Sequence, residues 1–144
     1  MAGFMLSEWV NQAPEAVMAF AVDPANASKV MKDVVKMEQV SPGPLQVGTI
    51  YQETRMMNGR PTTTDLKVIA YDEATGKYSV TTEQSGLTAT YHYTFRPEKN
   101  GTRINLVCET QGKGLKKLMS PLFAQILKKE DGQHLQNLKA AIEG

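Results

Sequence analysis

From Val34 to Thr110 hydrophobic and polar residues alternate in short runs, and from Leu115 to Ile142 they recur every three or four positions. The first period belongs to the two faces of strands, the second to one stripe of a helix. Ahead of both, Phe4 to Asn11 is an apolar run short enough for a first strand. Ala13-Pro14-Glu15 opens a helix with proline in its first turn, and Val17, Phe20 and Ala21 form its apolar face. Asp23-Pro24 pairs a capping aspartate with another first-turn proline, which predicts a second short helix to about Lys32.

Six strands are predicted next: Val34 to Val40, Thr49 to Met57, Thr62 to Tyr71, Lys77 to Glu83, Leu87 to Arg96 and Thr102 to Thr110. Turn residues separate them, notably Ser41-Pro42-Gly43-Pro44 and the hairpin dipeptides Asn58-Gly59, Ser85-Gly86 and Asn100-Gly101. Consecutive strands joined by tight turns imply an antiparallel meander. The helix pair is then a crossover, and the first strand pairs with the end of the meander or lies on an edge.

Alternation assigns the faces. Leu87, Ala89, Tyr91, Tyr93 and Phe95 share the side expected to face the long helix, as do Leu66, Val68 and Ala70, Tyr78 and Val80, and Ile104, Leu106 and Cys108. The strand from Thr49 to Met57 is ambiguous. If Tyr51 points in, Glu53, Arg55 and Met57 point in with it, and two buried charges each cost several kcal/mol unless paired or wetted. They either form the polar floor of a cavity or reach solvent at the sheet rim.

On the last helix Met119, Phe123, Ile126, Leu127, His134, Leu138 and Ala141 roughly share a face. Leu115, Leu118 and Leu122 widen its first half beyond what a helix lying on a sheet needs. Pro121 can kink the helix and Gly132 weakens it. The first half is expected to roof a cavity and act as a gate, and the second half to clamp the sheet.

Composition narrows the function. A chain of 144 residues, 41% hydrophobic and 22% charged, reads as a single domain over 1–144. A formal net charge of +1 gives no field to steer nucleic acid. Cys108 is the only cysteine, which excludes an internal disulfide and a cysteine zinc site and fits a cytoplasmic setting. No apolar run approaches the ~18–20 residues of a membrane span, so stable membrane insertion is not expected.

Four stretches resemble motifs of one superfamily, in the same order along the chain. They are Val10-Asn11-Gln12-Ala13-Pro14-Glu15-Ala16-Val17, Asp23-Pro24-Ala25-Asn26, Val47-Gly48-Thr49-Ile50-Tyr51 and Gly101-Thr102-Arg103-Ile104. They resemble the entry to the first helix, the start of the second, and the openings of the third and last strands in the helix-grip (SRPBCC) superfamily. That group contains START lipid-transfer domains, polyketide cyclases and plant pathogenesis-related proteins. The resemblance is to bacterial members described as polyketide cyclase or dehydrase and lipid-transport proteins. It implies an α+β helix-grip fold: a curved antiparallel sheet of about seven strands wrapped around a long C-terminal helix, with two short helices between strands one and two. One feature departs from the pattern. Many members carry a tryptophan about seven residues after the Asp-Pro, where this chain has Val30 and Met31, and Trp9 is its only tryptophan.

Catalytic patterns are sparse. His92 and His134 are the only histidines, unlinked by any ligand spacing and expected at the surface or rim. No Gly-x-Ser-x-Gly elbow or phosphate loop is present, and Cys108 is expected inward and inert. Lys113, Lys116, Lys117, Lys128 and Lys129 form a basic stretch, either a solvated face or a contact for an anionic membrane surface or acidic partner. No metal, cofactor or catalytic residue is assigned. The expected ligand-binding residues are Tyr51, Glu53, Arg55, Leu66, Tyr78, Val80, Tyr91, Tyr93 and Leu106 from the sheet, with Leu118, Leu122 and Ile126 from the helix.

The function expected is binding, transport or sensing of a small hydrophobic or amphipathic molecule between sheet and helix. Two alternatives stand beside it. One is a cyclase or aromatase-like enzyme using acid/base groups of the same cavity. The other is a protein-interaction module. Monomer and homodimer are both compatible with the sequence.

Overall fold

The computed structural model describes residues 2–144, apart from the side chain of Met57. The inward position read for that side chain therefore lies outside the described residues. Strand β1 spans Ala2–Val10, α1 Pro14–Val22 and α2 Ala27–Val30, with a 3-10 turn at Pro24–Asn26 between the helices. Strands β2 Val34–Gln39, β3 Ile50–Met57, β4 Arg60–Asp72, β5 Lys77–Gln84, β6 Leu87–Glu98 and β7 Gly101–Gly112 follow. The chain continues through a 3-10 turn at Gly114–Met119 into α3 Ser120–Asp131 and α4 His134–Glu143.

The seven strands form one antiparallel sheet in the order β1-β7-β6-β5-β4-β3-β2. The crossover carries β1 to the far edge, where Ala2 pairs with Thr110 and Val10 with Thr102. Pro14 occupies the first turn of α1, and the Asp23 carboxylate accepts the Ala25 amide at 3.0 Å, which starts the next turn as its sequence implies.

Asn58 and Gly59 take φ of 52° and 76°, the two left-handed positions of a two-residue hairpin. The last hairpin sits one residue earlier than its dipeptide suggests. Glu98 pairs with Gly101, and the left-handed residues are Lys99 (48°) and Asn100 (64°). Gly101 is needed for close approach instead: a Cβ there would lie 2.4 Å from the Val10 carbonyl oxygen and 2.7 Å from the Trp9 ring.

The inner face of the sheet carries Val68, Ile104, Leu106 and Phe95, against Val10 of β1, Val17 of α1 and Leu135 and Leu138 of α4. A bulge between Val68 and Ala70 shifts the alternation and bends β4, so that Tyr71 packs inward on Tyr78 while Ala70, read as inward, pairs with Ser79 on the outer face. The long C-terminal helix runs through two segments in series, α3 and α4. Pro121 opens α3 instead of kinking it, because its missing N–H falls in a first turn. Gly132 and Gln133 separate α3 from α4. The two segments share the clamping unequally: α4 buries His134, Leu135 and Leu138, whereas Leu115 and Leu118 ahead of α3 are 89% and 85% exposed. Ala141, read as part of the inner stripe, is also exposed.

Candidate functional site

Between the sheet, α2 and the α3–α4 junction lies a cavity of about 110 Å³. Its apolar wall is built from Leu66, Tyr78 and Val80 of the sheet and Phe123, Ile126 and Leu127 of α3. These residues reach it because β4 and β5 alternate inward at Leu66, Tyr78 and Val80, while Phe123, Ile126 and Leu127 share the inner side of a helix at i, i+3 and i+4. Thr62, Thr64, Thr82 and Gln84 line its end nearest the β3–β4 hairpin.

A knot of charge closes one side. The Arg55 side chain is only 14% exposed, and its Nε donates to Glu53 Oε1 at 2.5 Å. Its Nη1 donates to Asp131 Oδ1 at 3.0 Å and to Glu130 Oε2 at 3.3 Å. Among the described residues Nη2 has only the Met31 sulfur, at 3.5 Å. Asp131 is 2% exposed and accepts a second bond from the Tyr91 hydroxyl at 2.9 Å. Burial works against the Arg55 charge, but Asp131 and Glu53 outweigh it and hold the guanidinium above its ordinary range. Burial raises Glu130, with Arg55 pulling the other way.

A second pair sits beside the knot. The Tyr93 hydroxyl lies 3.0 Å from His134 Nε2, with the two rings edge-on at 5.8 Å. Burial pushes His134 down to about 4, although neighbouring Asp131 favours its charge, so the imidazole is neutral near pH 7. Burial also keeps Tyr93 and Tyr91 well above the usual phenol range, so both remain proton donors. One buried polar atom of the cavity wall, Thr82 Oγ1, has no hydrogen-bond partner among the described residues, whereas the His134 ring is held by the Val30 backbone as well as by Tyr93.

An outer cleft of about 410 Å³ lies between α2 and the α3–α4 junction, reaching Lys32 and Lys129. It shares Val30, Met31, Glu130, Asp131 and His134 with the inner cavity. The charge knot thus stands at the boundary between cleft and cavity.

The structure brings together Glu53, Arg55, Leu66, Tyr78, Val80, Tyr91, Tyr93 and Ile126 around the cavity. Glu53 and Arg55 face inward, paired rather than at the rim. Tyr51 and Leu106 are buried in the solid core and do not line the cavity. Leu118 and Leu122 lie outside it, Leu118 on the 3-10 turn before α3 and Leu122 on the exposed side of α3 itself. They do not roof the cavity.

His134 is 7% exposed, not a surface or rim histidine, because it takes a position of the inner stripe where α4 begins. Asp131 and Glu130 had no place in the sequence reading. The available signal was Asp131 between Leu127 and Leu138, a charged residue in register with an apolar stripe. His92 lies on the outer face, 2.8 Å from Ser79 Oγ. Cys108 is buried and pushed up to about 12, so its thiol is unreactive.

The chain matches the family described as "Polyketide cyclase / dehydrase and lipid transport" over residues 1–143. It belongs to that family. No curated protein matches its sequence significantly. Among solved structures, Ara h 8.0201 is similar at 20% identity with a TM-score of 0.76, covering 98% of this chain and 97% of that one. The ZhuI aromatase/cyclase from Streptomyces sp. R1128 is similar at 11% identity and a TM-score of 0.77, covering 97% and 92%. The di-domain ARO/CYC BexL of the BE-7585A biosynthetic pathway matches at 15% identity and a TM-score of 0.81, with 99% of this chain covering 47% of that one. These likenesses establish the helix-grip fold of the family member described here. No helix among the described residues is long and apolar enough to cross a membrane.

Proposed function

We propose that this chain binds a small hydrophobic or amphipathic molecule in the cavity between sheet and α3. The observation that carries the reading is an apolar chamber with a buried polar knot on one side. An apolar pocket with a few convergent polar groups is the usual form of a small-molecule site. The volume, about 110 Å³, is below the ~300–1,000 Å³ of drug-sized sites. An engineered cavity of ~150 Å³ accommodates benzene, so one ring is the scale that enters without rearrangement. Larger ligands require α3 to move outward.

The test is native mass spectrometry with thermal shift against neutral one- to three-ring phenols and medium-chain alcohols. Saturable binding with a raised Tm is expected. Absence of binding and of stabilisation across the panel would contradict the reading.

A second reading is acid/base catalysis on an aromatic or polyketide-like substrate. It is favoured by Tyr93, His134, Tyr91 and Arg55 bordering the same chamber, and by the description of the family. Here the neutral His134–Tyr93 pair would exchange a proton with the ligand. Turnover of a poly-β-ketone mimic, lost in Tyr93→Phe with binding retained, is the expected result. No product above the uncatalysed background would remove this reading.

A further inference from the structure

The charges around the cavity do not balance. Its lining holds four carboxylates, Asp23, Glu53, Glu130 and Asp131, against one guanidinium, Arg55, and no lysine. The guanidinium is already committed: Nε serves Glu53 and Nη1 serves Asp131 and Glu130. Only Nη2, against a methionine sulfur, is left for a ligand. A carboxylate or phosphate entering the inner cavity would meet surplus negative charge in a poorly solvated space, since Lys32 and Lys129 line only the outer cleft.

The acceptor side is the reverse. Asp131 uses both oxygens, on Arg55 and Tyr91, but Glu53 and Glu130 each use one oxygen on Arg55. The knot also borders the outer cleft, so the end of a ligand that stops there is its polar end.

We infer that the ligand is amphipathic with a cationic end, an amine on an apolar body about one ring wide, and that fatty acids and other anions are selected against. The inference rests on the ligand-binding reading above. The apolar body lies among Leu66, Val80, Phe123 and Leu127, and the amine meets the free oxygens of Glu53 and Glu130. Burial raises Glu130 toward neutrality, and an arriving ammonium group restores its charge.

The experiment is calorimetric titration of the full chain near neutral pH with three matched probes: phenethylamine, 2-phenylethanol and 3-phenylpropanoate. The amine is expected to bind about tenfold or more tighter than the acid, which is about 1.4 kcal/mol or more, with the alcohol between. The alcohol should compete with the amine, placing both in one site. In Glu130→Gln the amine-to-acid ratio should fall about threefold or more. Acid binding as tight as the amine overturns the charge preference and leaves the binding site standing. An amine that the alcohol does not displace, or an unchanged ratio in Glu130→Gln, also overturns the preference. Binding by none of the three overturns the preference together with the reading beneath it.

Discussion

Arg55 is the residue on which the polar side of the cavity depends. It sits between Glu53, Glu130 and Asp131, and removing it leaves their charges facing one another with little water. Arg55→Met is expected to destabilise the fold by about 3 kcal/mol near neutral pH, as for other broken buried pairs. The deficit should shrink as pH falls. Carboxylates without their cation are raised above their unfolded values, so the folded variant takes up protons more readily and acid favours it. Urea unfolding of both proteins across the acidic range measures this.

His134 acts in the opposite sense. Its folded value, about 4, lies below the ordinary 6.5, so the unfolded chain binds more protons between those limits. The stability contributed by the neutral ring is complete above about pH 6.5 and is lost progressively toward pH 4, by about 3 kcal/mol. His134→Gln should flatten that part of the profile, and an unchanged slope would show that His134 is not buried as a neutral ring. Tyr93→Phe removes one hydrogen bond and is expected to cost about 1 kcal/mol by the same assay.

At the scale of elements, the C-terminal segment divides its labour at Gly132. Leu138 of α4 is fully buried, so Leu138→Ala should cost about 2–5 kcal/mol. Leu118 is 85% exposed, so Leu118→Ser should stay within about 0.5 kcal/mol. Equal costs at the two positions would show that both parts of the segment clamp the sheet alike.

The strands and their partners were readable because period-two alternation and turn dipeptides act locally. Asn58-Gly59 marked its hairpin, and Leu66, Tyr78 and Val80 were placed inward from alternation alone. The end of the chain was harder. A broad apolar arc from Leu115 to Leu122 looks the same whether it roofs a cavity or faces water. The 3-10 coiling before Ser120 and the rotation of α3 about its axis decide which way it turns. The charge knot was hidden for a different reason. Arg55 meets Glu130 and Asp131 across more than seventy positions of sequence, and alternation in β3 says only that Arg55 and Glu53 point together.

For the whole molecule, the sheet is closed on its inner side by two unequal supports. Phe95, Ile104 and Leu106 pack against α4 and α1 in a solid core, while α3 rests on β1 and β7 and leaves a hollow beneath its Phe123–Leu127 side. That asymmetry predicts where the fold yields. Amides of α3 should exchange with solvent faster than those of β6 and β7, and a bound ligand should slow α3 selectively. Hydrogen-exchange mass spectrometry with and without 2-phenylethanol reads this directly. Uniform protection across α3 and α4 in the free protein would argue against a movable roof.

The hollow itself is the central claim, and methyl NMR during titration with 2-phenylethanol tests it most directly. The account predicts saturable shifts at the methyl groups of Leu66, Val80, Ile126 and Leu127, with Leu115 and Leu118 unmoved. Shifts confined to the exposed leucines, or none that saturate, would contradict it.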